Sequence, residues 1–313
     1  MKAIPTVIVS YNVSLLLEQC LKSVCQVEDL ALEPWVVDNA SSDGSADMVA
    51  SRFPQAHLYR SKRNLGFAAG NNLALRDACS ADYVLLLNPD TVVPRRGLQR
   101  LIDVAEQNPA IGAVGPQLIS ADGHRQVSWK EYPTPAGRIF DELSARRTSV
   151  EPCAKPARVD WIVGACMLIR GEWLRRVGVL DEDYFMYMEE PDWCRRLNAA
   201  GGQVWFCPDV QVVHHGEASV HATHAQAVTL NGLRVTDYLS SEFRYFSRYH
   251  GTGQALGVLA ARTAITRGRL LKRSLEHELF GGNGVKLQEC RELRRAIAEV
   301  WSAVASTKSG VKR

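Results

Sequence analysis

Residues 83–91 read YVLLLNPDT. Five strand-forming apolar residues, Tyr83–Leu87, end abruptly in Asn88, Pro89 and Asp90. A buried parallel strand reads as such an unbroken apolar run, and its carboxyl end is where open α/β sheets bind ligands. Oxygen donors at that edge suit a hard divalent cation, which commonly rests on a diphosphate. An ordinary Asn-Pro turn after a strand has the same composition. The flanking sequence decides between the two.

Upstream, residues 4–10 form an apolar, β-branched strand, and 13–25 carry Leu15, Leu16, Leu17, Leu21 and Val24 near helical spacing. Trp35–Val37 is a second strand ending at Asp38, and Ala46–Arg52 a helix. His57–Arg60 is a third strand, and glycine-rich Asn64–Asn72 opens another helix. Downstream, Arg96–Gln107 reads as a helix and Ile111–Val114 as a strand. This alternation predicts a doubly wound, mostly parallel sheet. Residues 121–158, with Pro133, Pro135, Pro152 and Pro156, read as loop. Val159–Arg170 reads as a strand, Asp192–Ala200 as a helix, and Val204–Cys207 and Val210–Val213 as two short strands. Beyond residue 220 the chain reads as helical.

The chain has 313 residues, 46% of them hydrophobic, which is ample for one large α/β domain with an appendage. No apolar run approaches the ~18 residues of a transmembrane helix, and the N-terminus lacks signal-peptide anatomy. A cytosolic protein is expected. Eight scattered cysteines without a CxxC pair read as reduced. The net charge of +3 hides an asymmetry: residues 221–313 hold 15 Lys+Arg against 7 Asp+Glu, so the rest of the chain is acidic. A basic tail suits an anionic membrane surface or an anionic lipid-linked substrate, and a merely solvated helical face fits the same count. Within it, Ala264, Ile265, Leu271, Leu275 and Leu279 lie on one helical stripe, and Arg262, Arg267, Arg269, Lys272 and Arg273 crowd other faces. Such a helix docks on a membrane, packs on the body or forms a dimer contact. No nucleic-acid partner is expected.

Polar residues end four strands: Ser10-Tyr11-Asn12, Asp38-Asn39, Asn88-Pro89-Asp90 and His214-His215. In a parallel sheet these ends share one edge, so they can line one crevice.

IVSYN, VVDNASSDGS, NLGFAAGNN, LLLNPDT, VDWIVGACMLIR, FMYMEEPDWCRR and VVHHGEAS, in this order, resemble the family 2 glycosyltransferases of the GT-A fold. The similarity is strongest to the bacterial rhamnosyltransferase branch and covers roughly residues 4–220. It implies an α/β GT-A fold with a nucleotide-sugar-binding half (1–120), an acceptor and catalytic half (121–220) and a basic helical C-terminal extension (221–313). It implies an inverting, metal-dependent transferase using Mg2+ or Mn2+. The expected donor is dTDP-rhamnose, with UDP- or GDP-sugars as alternatives. The expected acceptor is a lipid-linked or cell-surface saccharide, at the inner face of the cell membrane.

The resemblance also assigns roles. Ser10, Tyr11, Asn12, Asp38 and Asn39 would line the nucleotide pocket, where a Tyr ring stacks and a carboxylate accepts from a base N–H. Asn64, Gly66, Phe67 and Gly70 would shape its floor near the diphosphate. Asn88 and Asp90 stand where the family carries Asp-x-Asp, so one metal-binding charge is absent, and His214 stands at the third ligand. Among Glu189, Glu190 and Asp192, Glu190 matches the family's catalytic Asp, one methylene longer. Each role has a plain structural counterpart. Asp38 fits a turn, His214 a packed imidazole, and the acids a helix N-terminus. A nucleotidyltransferase on the same kind of sheet would show a glycine-rich phosphate loop after strand one, where this chain has SYNVS. A catalytically silent scaffold is the other competing reading.

Overall fold

The computed structural model describes residues 3–144, 153–216, 229–230, 233–280 and 284–308. The chain divides into two compact units: residues 1–132 with 149–223, and residues 133–148 with 224–313.

The first unit is built on a nine-stranded sheet. Its strands are β1 (Ile4–Ser10), β2 (Leu32–Asp38), β3 (His57–Arg60), β4 (Tyr83–Leu87), β5 (Thr91–Val92), β6 (Ile111–Ile119), β8 (Ala157–Val159), β10 (Cys166–Arg170) and β11 (Gln203–His214). The order is β3-β2-β1-β4-β10-β6-β11-β5, with β8 also paired to β11. A separate short ribbon joins β7 (Trp129–Lys130) to β9 (Trp161–Ile162).

The fold expected from the alternating pattern is present, with a mixed sheet. β10 lies antiparallel between β4 and β6, and β5 and β8 run antiparallel to β11. Periodicity reports that a strand exists and is silent on its direction. The long Val159–Arg170 strand is divided in three, broken by the Gly164–Ala165 turn. The two short strands expected over 204–213 are one strand, β11, with an irregular register between Cys207 and Gln211.

Side-chain alternation explains why both faces of the sheet need cover. Ile4, Ile8, Leu85 and Leu87 face one core, closed by α1 (Ser14–Cys25), α2 (Ser45–Arg52) and α4 (Gln99–Glu106). Val7, Val84 and Leu86 face the other, closed by α3 (Gly66–Ala78), α6 (Gly171–Val177) and α7 (Glu189–Ala199). All five residues of β4 are buried, as the opening sequence requires. Truncating Leu86 to Ala removes contacts worth about 2–5 kcal/mol.

The stretch read as loop over 121–158 contains β7 and a helix, α5 (Pro135–Ser144). The prolines misdirect here, because proline is well tolerated at the first helical position. Thr134 precedes Pro135 and accepts from Gly137 N through its hydroxyl at 3.1 Å, which is N-cap geometry.

In the second unit, α5 joins α8 (Val235–His250), α9 (Thr252–Phe280) and α10 (Gly284–Lys308). Val235, Leu239, Leu259, Ala296, Ile297 and Val300 form its core. Arg262, almost fully buried, bonds Glu242 at 2.7 Å and Glu142 at 2.9 Å, and Arg138 bonds Glu242 at 2.6 Å. Buried charges persist only when paired in this way.

Candidate functional site

β1 and β2 pair in register so that Ser10 lies beside Asp38, and Asn39 N donates to Ser10 O at 2.8 Å. Both Ser10 and Asp38 are buried at the carboxyl ends of their strands. Ser10 Oγ and Asp38 Oδ1 have no hydrogen-bond partner among the described residues, while Asp38 Oδ2 accepts from Ser41 N at 3.3 Å. Buried polar atoms without partners are expensive unless a ligand or water satisfies them. Asp38 opens onto a hollow of about 530 Å3 lined also by Ser41, Ser42, Asp47 and Arg60.

Asn12 adopts φ 55°, and its side-chain oxygen accepts from Ser42 N at 2.7 Å, tying the β1 and β2 loops together. Tyr11 is half-buried next to it. Asn39 is buried and spends its amide internally. It donates to Asn64 Oδ1 at 2.9 Å and accepts from Leu65 N at 2.9 Å. Asn64 also receives Gly66 N at 2.9 Å. Gly66, at φ 80°, approaches the Phe185 carbonyl so closely that a Cβ would lie 2.0 Å from that oxygen. Phe67 N donates to the same carbonyl at 2.7 Å. A Cβ on Gly70 would press on Val9 at 2.9 Å. These four residues thus hold the start of α3 against β1, β2 and the 185 segment.

After β4, Asn88 N donates to Ala165 O and Thr91 Oγ1 donates to Asn88 O at 2.7 Å, so the Asn-Pro-Asp turn is pinned on both sides. Asp90 is buried, and its carbonyl accepts from His215 N at 2.9 Å. This places His214 Nε2 3.6 Å from Asp90 Oδ1. Burial holds the His214 imidazole below its ordinary pKa, against the pull of the Asp90 charge. His214 Nδ1 bonds Gln126 Oε1 at 2.9 Å, and Gln126 Nε2 donates to His214 O at 2.8 Å.

The acidic segment enters α7 through two consecutive left-handed residues, Tyr187 and Met188, both at φ 69°. Such backbone is held only where the surroundings enforce it, and it concentrates at functional sites. Helix α7 therefore starts at Glu189, earlier than Asp192 as expected from the sequence. Its three acids diverge in environment. Asp192 is fully buried and bonds Arg196 Nε at 2.8 Å, while Arg196 also donates to Val177 O and Val179 O. Glu189 is buried, and burial, then the charge and hydrogen bond of Glu190, lift its pKa well above the ordinary value. Glu190 remains half-buried, and its Oε1 accepts from Gly164 N at 3.0 Å.

Gly164 and Ala165 thus connect two parts of the site. One peptide holds the Asn88 turn and its neighbour holds Glu190. Sequence reasoning missed Gly164 and Gln126. A glycine between strands carries little signal of its own, and Gln126 meets His214 across 88 residues. Residues Glu217–Ser219 of the HHGEAS stretch lie outside the described residues.

Among the described residues, no group of three or more His, Cys, Asp and Glu is gathered as a metal site. Asp90 Oδ1 and His214 Nε2 stand side by side, and their chemistry fits a cation that takes its remaining ligands from a diphosphate and water.

Residues 6–178 match the family described as Glycosyl transferase family 2. The chain is 28% identical over 298 residues, 88% of its length and 96% of the relative's, to the N-acetylglucosaminyl-diphospho-decaprenol L-rhamnosyltransferase of Mycobacterium tuberculosis. It is 28% identical over 193 residues to rhamnosyltransferase WbbL of Escherichia coli K12, covering 58% of this chain and 70% of that one. A mannosyltransferase from Pyrobaculum calidifontis, solved with GDP-Man and Mn2+, aligns over 97% of this chain and 86% of its own at TM-score 0.53 and 20% identity. That likeness carries the fold, which is GT-A.

Proposed function

The chain belongs to glycosyl transferase family 2, in its rhamnosyltransferase-like branch, and from that premise we propose an inverting, cation-dependent transfer of rhamnose from dTDP-rhamnose to a saccharide hydroxyl. The observation that carries it is the joining of the Asn88–Asp90 turn to Glu190 through Gly164 and Ala165. A diphosphate at the strand ends and a base at the head of α7 then act on opposite sides of one sugar.

Asp38 and Ser10 hold the nucleotide base with their two buried oxygen atoms that lack partners among the described residues. Asp90 and His214 would hold Mg2+ or Mn2+, and the Asn88 amide would supply a neutral third donor. When bound, the cation neutralises charge on the leaving diphosphate. Glu190 takes the proton of the acceptor hydroxyl as its oxygen bonds to the anomeric carbon. The anomeric carbon–phosphate oxygen bond breaks, and its electron pair departs with the nucleoside diphosphate. One displacement inverts the anomeric configuration. The neighbouring acids serve Glu190: Glu189, its pKa raised by burial, hydrogen-bonds it, and Asp192 fastens α7 through Arg196.

The mycobacterial relative is named for a prenyl-diphosphate-linked N-acetylglucosamine acceptor, and its match spans nearly both chains. A lipid-linked acceptor of that class is therefore the favoured substrate here. The second unit supports the same placement. Leu271 and Leu275 are 65% and 48% exposed on α9, beside exposed Arg267 and Lys272. No helix among the described residues is long and apolar enough to cross a membrane. A face bearing Arg267 and two exposed leucines, with Lys272 paired to Glu276 at 3.8 Å, suits peripheral docking on an anionic bilayer.

The test is a panel of dTDP-, UDP- and GDP-sugars with and without Mn2+, read by thermal stabilisation and by release of nucleoside diphosphate. dTDP-rhamnose should stabilise the protein most, because a ligand of the native state raises the melting point. Pyrophosphate release from a nucleoside triphosphate points instead to a nucleotidyltransferase. Binding with no turnover on any acceptor points to a silent scaffold.

A further inference from the structure

Gln126 lies between the Ile119–Arg125 bridge and β7, in the stretch whose sequence carries no periodic signal. Its own backbone is fixed. Gln126 N donates to Leu118 O at 2.8 Å, and Gln126 O accepts from Gln117 Nε2 at 2.9 Å and Ser128 Oγ at 3.0 Å. Its side chain reaches His214 with both ends of the amide.

The chemistry of those ends decides which way the amide is oriented. The His214 main-chain oxygen can only accept, so the end meeting it at 2.8 Å is the NH2 group. The other end is then the carbonyl oxygen, which also can only accept. The 2.9 Å contact to His214 Nδ1 therefore requires the proton to sit on Nδ1. A neutral imidazole has one N–H, so Nε2 carries a bare lone pair. That lone pair and Asp90 Oδ1 stand 3.6 Å apart, too far for a hydrogen bond.

We propose that Gln126 is a positioning residue that fixes His214 in the Nδ1–H tautomer and so keeps Nε2 aimed, as an electron donor, at a cation held with Asp90. This role rests on the cation reading of Asp90 and His214 given above. It follows the general rule that a metal-ligating histidine is oriented by an acceptor on its other nitrogen, and that loss of such an acceptor weakens metal binding by about 10–100-fold. A structural alternative exists in the same contact, since the Gln126 NH2 also ties its segment to the β11 backbone.

Two variants separate these roles. Gln126→Glu keeps an acceptor for Nδ1–H and removes the donor to His214 O, whereas Gln126→Leu removes both. Binding of Mn2+ alone to the full chain, read from the electron paramagnetic resonance of free Mn2+, should weaken about tenfold or more in Gln126→Leu. Gln126→Glu should retain it. Ring nitrogen shifts of 15N-labelled histidine should show His214 protonated on Nδ1 in the metal-free wild type, moving towards the Nε2–H form in Gln126→Leu. Equal loss in both variants, unchanged affinity in Gln126→Leu, or an Nε2–H wild-type ring would overturn the proposal. If Gln126→Leu does not fold, the wild-type ring shifts and Gln126→Glu decide it. Equal Mn2+ affinity in His214→Ala and wild type sinks the cation reading itself, and this role with it, whichever tautomer the spectra show.

Discussion

Gly164 offers its backbone N–H to Glu190 Oε1 at 3.0 Å, and a side chain at that position fits only if Glu190 moves. A Cβ on Gly164 would lie 2.7 Å from that oxygen and 2.9 Å from Glu190 Cγ. Gly164→Ala should therefore displace the carboxylate while leaving the sheet intact. We expect kcat to fall about 10- to 100-fold, as misplacement of a reacting group by about 1 Å does, with donor affinity little changed. Steady-state kinetics check this. Wild-type kcat in Gly164→Ala would mean that Glu190 does not depend on this contact.

The Glu189 carboxyl gives a pH signature. Its folded pKa lies well above the value of about 4.3 that it has in an unfolded chain. Between the two, the native state holds more protons than the unfolded state, so stability falls as pH rises. The contribution is fully present below about pH 4.3 and is lost on passing upward through the folded pKa. Glu189→Gln keeps a neutral side chain at every pH. Urea unfolding should show it gaining on the wild type more at pH 8 than at pH 5. An equal difference at both would place the raised titration elsewhere.

How much of this site was legible beforehand follows from the kind of signal each part carries. Tyr83–Leu87 and its Asn-Pro-Asp ending announced themselves, because an apolar run with an abrupt polar stop is a local pattern. Ser10, Asp38, Asp90, Glu190 and His214 were singled out by their motifs. The antiparallel β10 was not legible, since side-chain alternation is the same in either direction. Helix α5 was hidden by prolines that mark its start as readily as a loop. Gln126 was beyond reach, because its meaning comes only from His214 folding back onto it.

Asp192 tests the structural reading of the third acid. It is fully buried against Arg196, so Asp192→Ala leaves a charged partner without its carboxylate. We expect a loss of about 1.5–3 kcal/mol in unfolding free energy, typical of a buried hydrogen bond to a charged group. Equilibrium unfolding reads it directly. A reacting Asp192 would instead lose activity at wild-type stability.

Leu271 and Leu275 test the membrane placement. Burying a leucine side chain yields about 1.5–3 kcal/mol, so converting both to Glu should release the protein from anionic vesicles in co-sedimentation. Activity on a short soluble acceptor should survive. Unchanged vesicle binding would assign that face to a second copy or another contact.

Asp90→Ala and His214→Ala should each abolish the Mn2+-dependent part of donor binding, measured by calorimetry with dTDP-rhamnose. A preserved metal response in both would put the cation elsewhere.

The most direct test of the central claim is a single-turnover experiment with Glu190→Gln, dTDP-rhamnose, Mn2+ and a prenyl-diphosphate N-acetylglucosamine acceptor. With Glu190 as the base, donor binding should match the wild type while transfer falls by about 10²- to 10⁴-fold, the usual contribution of a general base. Transfer at the wild-type rate would contradict the account.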